Sequence, residues 1–138
     1  MAEDAKTKVL IIDDEVKFTK MVKKNLEHEG NFEVEVVNEG LKGLEAAQAF
    51  KPDIVLLDVL MPDKRGPEVA HAIRQDEKIG KTPIIFITAT VDRGQTEAFG
   101  GLVDGLPFTI KPALSKPVKT KDLISMIEKE ILHQGKED

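Results

Sequence analysis

Val9-Leu10-Ile11-Ile12-Asp13-Asp14-Glu15 changes character in a single step, from four apolar residues to three carboxylates. A short run with no polar residue predicts a strand buried on both faces, as in the centre of a parallel sheet. The pattern recurs twice. Ile54 to Leu57 is an apolar run ended by Asp58, and Pro83 opens Ile84 to Ile87, which ends in Thr88. Polar groups able to do chemistry therefore stand where three predicted central strands stop.

Between these runs the apolar residues follow helical spacing. Val16, Phe18, Met21, Val22 and Leu26 predict a first helix, with Gly30-Asn31 as its stop signal. Phe32 to Val37 alternates and is rich in valine, which predicts a less buried strand at or near an edge. Leu41, Leu44, Ala47 and Phe50 mark a second helix ended by Lys51-Pro52, and Val69, Ala70 and Ile73 a third, with Pro67 near its first position. Asp92 to Gly105 is expected to be a fourth helix, short or mobile because it holds Gly94, Gly100, Gly101 and Gly105. Each interior glycine costs about 1 kcal/mol relative to alanine. Phe108 to Ile110 is read as the fifth strand, and Leu123, Ile124, Ile127 and Ile131 as the face of a final helix that fades into Gln134 to Asp138.

Alternating strands and helices predict an α/β fold: a doubly wound, five-stranded parallel sheet flanked by five helices. In such sheets, ligands bind beyond the carboxyl ends of the strands, near the switch in strand order. Asp13, Asp14, Asp58 and Thr88, distant in sequence, are thereby expected to converge.

The 138 residues suit one domain, burying roughly two-thirds of the surface of the unfolded chain. Apolar residues at 41% and charged residues at 33% fit a globular protein, not a disordered one. A net charge of −5 gives no support to a nucleic-acid partner, and the absence of tryptophan and tyrosine leaves six phenylalanines for any base stacking. There is no cysteine for a disulfide, thiolate site or nucleophile. The opening MAEDAKTK lacks the pattern of a signal peptide, and no apolar run reaches the roughly 18 residues of a membrane span. The expectation is a cytoplasmic protein without a membrane partner.

Three carboxylates brought together repel one another, so one takes a proton or the group holds a cation. An all-oxygen set favours a hard ion, and magnesium suits one or two carboxylates plus a phosphate. With a carboxylate as phosphoryl acceptor, Thr88 can donate a hydrogen bond, and Lys116 or Lys111, each followed by proline, can supply a point charge. Singly, each aspartate is as readily explained as a cap on the following helix. His28, His71 and His133 show no ligand spacing and are read as surface residues.

The set as a whole is more specific. With Asp13-Asp14 after the first strand, Asp58-Val59-Leu60-Met61-Pro62 and Gly66 after the third, Thr88-Ala89 after the fourth, and Lys116-Pro117, the chain resembles the receiver domain of bacterial two-component response regulators. The resemblance covers Lys8 to His133, giving a receiver domain at 8–133 between tails at 1–7 and 134–138. It implies a flavodoxin-like, CheY-like fold. It further implies that Asp58 takes a phosphoryl group from a phosphohistidine on a sensor histidine kinase or a histidine phosphotransfer protein. By the same resemblance, Asp14, Asp58 and the Leu60 carbonyl ligate magnesium directly and Asp13 helps through water. Thr88 and Lys116 then contact phosphoryl oxygens, Ala89 is suitably small, and Lys116-Pro117 is a candidate cis bond.

One interval departs from the family pattern. Thr88 to Lys116 is several residues longer than usual and contains both Lys-Pro pairs. Lys111 has the more usual distance from Thr88, with Phe108 three residues before it. Lys116 has the better sequel in Val118 and the final helix, and is preferred. Ala113 then occupies the place of the family's aromatic switch residue, and the glycine-rich fourth helix offers another route for switching.

The leading expectation is a single-domain phosphorylation-controlled switch or relay. It would act on a downstream protein target through its fourth helix, fifth strand and fifth helix, and would not be an enzyme beyond slow turnover of its own phosphate. Met1 and the short tail suggest a natural start. Two alternatives stand beside it: a receiver-like interaction module that takes up no phosphate, and a magnesium-dependent phosphatase with an aspartate nucleophile. The phosphatase generally needs a second acid two residues after the nucleophile, where this chain has Leu60.

Overall fold

The computed structural model describes residues 6–89, 102–103, 106–107 and 112–136. Along the chain run β1 (Thr7–Ile12), α1 (Val16–His28), β2 (Phe32–Val37), a tight turn at Gly40–Lys42, α2 (Gly43–Phe50), β3 (Ile54–Asp58) and α3 (Gly66–Gln75). They are followed by β4 (Ile84–Ala89), the short β5 (Leu102–Val103) and β6 (Leu106–Pro107), β7 (Ala113–Lys116) and α4 (Thr120–Lys136). Five strands form one sheet in the order β2-β1-β3-β4-β7, and every pairing in it is parallel. This is the doubly wound, flavodoxin-like arrangement. The order reverses between β1 and β3, which sets the switch point between Asp13-Asp14 and Asp58.

The all-apolar strands serve two cores at once. Leu10, Ile12, Val55, Leu57 and Phe86 pack with Ala47, Val69, Ala70 and Ile73 on the α2 and α3 side. Val9, Ile11, Ile54, Leu56, Ile85 and Ile87 pack with Val22, Leu26, Leu123 and Ile127 on the α1 and α4 side. Alternate residues of one strand thus face opposite helical layers, which is why no polar residue interrupts the runs. β2 lies at the edge and alternates, with Phe32 and Val34 buried and Glu33 and Glu35 exposed.

Several details differ from the reading of the sequence. On α1, Val16 and Met21 are exposed and Thr19 is fully buried, its hydroxyl donating to the Val16 carbonyl at 3.0 Å. Leu41, expected to face the core, is exposed on the turn before α2, where buried Gly43 and Ala47 form the packed face.

The fifth strand of the sheet is Ala113–Lys116, pairing with β4 at Phe86↔Ala113 and Ala89↔Lys116; the expected strand at 108–110 lies outside the described residues. Ala-Leu-Ser-Lys has no β-branched or aromatic residue, so its strand character comes from docking on β4 rather than from propensity.

Most of the expected fourth helix also lies outside the described residues, but its end is corrected. Leu102–Val103 is a strand antiparallel to Leu106–Pro107. In the sequence between these strands stands Asp104-Gly105, a dipeptide that favours hairpins.

Candidate phosphoacceptor site

Each site residue is delivered by a strand end. The Asp13 N–H donates to the Val37 carbonyl at 3.0 Å, continuing the β1–β2 ladder by one residue. Asp58 is the last residue of β3, paired with Ile87, and the next N–H, that of Val59, donates to the Ile87 carbonyl at 3.0 Å. Thr88 and Lys116 arrive on the adjacent β4 and β7, where Thr88 pairs with Ser115. The preceding hydrophobic residues anchor the strands, so the polar residues that follow are held at fixed positions.

Together, Asp14, Glu15, Asp58, Val59, Leu60, Thr88 and Lys116 line a cleft of about 250 Å³. Carboxylate oxygens of Asp13, Asp14 and Asp58 lie within 4.8 Å of one another. Asp13, Asp58 and Thr88 are at most 5% exposed. Burial, followed by the charge of Asp13, pushes the Asp58 carboxyl up to about 7, with Asp14 adding to the rise and Lys116 opposing it. Burial raises Asp13 as well. For Lys116, burial acts downward, but the paired carboxylates of Glu15 and Asp13 and the charge of Asp58 bring its ammonium above the usual lysine range.

The contacts around Asp13 give its two oxygens different roles. Oδ1 accepts the Glu15 N–H at 2.9 Å. Oδ2 lies 2.9 Å from Lys116 Nζ as an ion pair, yet it is buried and accepts no hydrogen bond of good geometry. Asn38 holds the backbone from behind, donating to the Asp13 carbonyl at 2.8 Å and to Thr19 Oγ1 at 3.1 Å. Lys116 also pairs with Glu15 and sits over the Phe18 ring, 4.5 Å from its centroid.

Gly66 explains how α3 can begin so close to the end of β3. Its N–H donates to the Val59 carbonyl at 2.8 Å, and a Cβ there would lie 2.2 Å from the Asp58 carbonyl oxygen. Only glycine admits this approach. Asp63 ties the same loop to the turn before α2, accepting the Gly40 and Leu41 N–H groups at 3.1 and 3.0 Å.

The structure therefore brings together Asp13, Asp14, Asp58, Leu60, Thr88 and Lys116, while Lys111 lies outside the described residues. The Lys116-Pro117 bond is cis. Glu15, Phe18, Asn38 and Asp63 were not singled out as site residues from the sequence. Glu15 was available as a third acid after two aspartates, but nothing local marks Asn38, whose partners are 25 and 19 residues away.

The donor set fits a magnesium ion. It is all oxygen, its carboxylates are close enough to share one cation, and burial raises Asp13 and Asp58 toward protonation, with the charge of Asp13 adding to the rise of Asp58.

Comparison with known proteins agrees with this arrangement. Response regulator ArlR of Staphylococcus saprophyticus subsp. saprophyticus is 35% identical over 121 residues, covering 88% of this chain and 50% of that protein. The chain spans about half the length of the curated relatives it matches. A CheY-like response regulator receiver domain protein from Methanospirillum hungatei is 26% identical with a TM-score of 0.77, covering 97% of this chain and 100% of that one. The receiver domain of a sensor histidine kinase from Pseudomonas aeruginosa, solved with a magnesium ion coordinated in its active-site cleft, has a TM-score of 0.76 at 24% identity, covering 92% and 98% of the two chains. A family sequence model for the response regulator receiver domain matches residues 9–128, and with strand order, acidic cluster and relatives in agreement, the chain belongs to that family.

Proposed function

We propose that Asp58 accepts a phosphoryl group from a phosphohistidine of a sensor histidine kinase or histidine phosphotransfer protein, and that the phosphorylated domain signals to a downstream protein. The observation that carries this reading is the convergence of Asp13, Asp14 and Asp58 within 4.8 Å, with Thr88 and Lys116 on the same cleft. An Asp58 carboxylate oxygen attacks phosphorus as the phosphorus–nitrogen bond of the donor breaks. The donor imidazole leaves with that electron pair and then takes up a proton. Attack requires the ionised carboxylate, so a group held near 7 needs a cation nearby to be fully available at neutral pH.

Asp14, Asp58 and the Leu60 carbonyl are the groups assigned to magnesium, with Asp13 assisting through water. When bound, the ion supplies positive charge that offsets the charge of the phosphoryl oxygens. Lys116 provides a second, protein-borne charge and Thr88 a hydroxyl donor. Burial of Asp13, Asp58 and Thr88 limits water at the acceptor and strengthens these charge interactions. The reading places the domain in the cytoplasm; among the described residues, no helix is long and apolar enough to cross a membrane. Output is assigned to the face that includes β7 and α4.

Intact-mass measurement after incubation with acetyl phosphate, with and without magnesium, tests the proposal. One magnesium-dependent adduct is expected, absent in Asp58→Asn. No adduct in the wild type would favour a receiver-like module that acts by binding alone. Lys116→Ala should impair phosphoryl uptake or response more than Lys111→Ala, and equal effects would remove the assignment of Lys116.

A further inference from the structure

We propose that Glu15 is a latch on Lys116, holding its ammonium beside Asp13 in the unphosphorylated domain and setting how readily it transfers to a phosphoryl oxygen on Asp58. The inference rests on the phosphoacceptor reading above and adds a positioning residue to it.

Among the described residues, the contact partners of Lys116 come from one side of the cleft. Its ammonium pairs with Asp13 Oδ2 at 2.9 Å and with Glu15 Oε1, and lies over the Phe18 ring. These three residues belong to β1's exit and the start of α1. Among the described residues no ion pair within 4 Å joins Lys116 to Asp58. The lysine destined for the acceptor is thus engaged elsewhere.

The engagement is a closed ring. Glu15 donates its backbone N–H to Asp13 Oδ1, while the Glu15 carboxylate and Asp13 Oδ2 both face the ammonium. The first bond fixes the Glu15 backbone and so aims its side chain across the cleft mouth. Asp13 is buried and is needed for the acidic cluster, but the Glu15 side chain is 58% exposed. Its carboxylate can therefore return to water with little penalty when Lys116 leaves. A partly exposed pair of this kind biases an equilibrium without blocking it.

Lysine is suited to such an exchange. Its charge is a compact point on a flexible stem with three donors, so it can trade one anion for another without a fixed fork geometry. A phosphoryl group on Asp58 adds negative charge on the other side of the cleft and competes directly with Glu15. Release of Glu15 then frees the residue that precedes α1 from Lys116 of β7, 101 positions away in the chain.

The test is a double-mutant cycle read by affinity for beryllofluoride, a phosphoryl mimic, in the presence of magnesium. Wild type, Glu15→Gln, Lys116→Met and the double variant are compared. Glu15→Gln should tighten binding about fivefold when Lys116 is present, the scale of one partly exposed ion pair, and should have no effect in the Lys116→Met background. Equal tightening in both backgrounds would reflect only the loss of a negative charge and would overturn the latch.

A second measurement needs no phosphoryl mimic. In the magnesium-free protein, the Lys116 Nζ resonance should show slowed proton exchange that Glu15→Gln accelerates; an unchanged resonance would also overturn the proposal. A wild type that binds no beryllofluoride would sink the phosphoacceptor reading, and the ammonium resonance alone would then decide whether the latch exists.

Discussion

Aspartates occupy both edges of the sheet, and the two edges treat them in opposite ways. At the amino edge, Asp76 accepts the Lys78 and Ile79 N–H groups and the Gln48 amide, and Asp53 accepts the Lys8 N–H. The Gln48 hydrogen bond, reinforced by those backbone donors, holds Asp76 below the usual carboxylate range. At the carboxyl edge, burial pushes Asp13 and Asp58 up, and the charge of Asp13 pushes Asp58 further. Asp53 and Asp76 both tie loops through backbone N–H groups, and Asp76 does so best when ionised. The acidic cluster at the carboxyl edge is costly to ionise without a cation, and under the proposed function that cost favours the binding of magnesium.

The largest expected effect is on the costly edge. Asp58→Asn should abolish the phosphoryl adduct completely while raising the stability of the metal-free protein at pH 8, by up to roughly 4 kcal/mol if the full shift is relieved. Thermal unfolding beside intact-mass measurement checks both halves; a less stable variant would contradict the electrostatic account of the cluster. Gly66→Ala should follow, at about 3 kcal/mol or more, because its Cβ would meet the Asp58 carbonyl oxygen at 2.2 Å. Gly30→Ala at the amino edge, with φ 90° but nothing within 4 Å, should cost only about 1 kcal/mol. Urea unfolding ranks the pair.

The pH dependence should separate the edges within one curve. Between the unfolded value near 3.8 and the folded value of about 7, the native state holds a proton on Asp58 that the unfolded chain has lost. Stability of the metal-free protein should therefore rise as pH falls from 8 toward 5. Adding magnesium at pH 8 should raise the melting temperature and flatten this limb. Below about 4 the sign reverses, since Asp63 and Asp76 contribute stability only while ionised and lose it as pH falls through their lowered folded values. The smallest effect is then expected for Asp76→Asn: a slight loss that shrinks the difference between pH 5 and pH 3, with phosphoryl uptake unchanged.

How much of this was legible in the sequence follows from which interactions are local. Apolar runs ending in Asp13, Asp58 and Thr88 announced both the sheet and the site, since a strand buried on both faces excludes polar residues until it ends. The stop at Gly30 and the start near Pro67 were likewise local signals. The fifth strand was not: Ala113 to Lys116 is a strand because β4 offers it a partner, and four residues of low β propensity carry no mark of that. The same holds inside the site. Asp13 and Asp14 stand beside one another in the chain, whereas the Asn38 and Lys116 contacts exist only once strands are paired.

The register that places Lys116 beside Ala89 also bears on the order in which a growing chain acquires competence. Synthesis delivers the three carboxylates within the first 58 residues, but the ammonium arrives only with β7. A nascent domain with four strands formed would hold the whole acidic cluster without its balancing charge. On the ribosome the last strand of the sheet is thus also the last to contribute to the site, so under the proposed function a chain halted before residue 116 would display Asp58 without the ammonium assigned to its phosphoryl group.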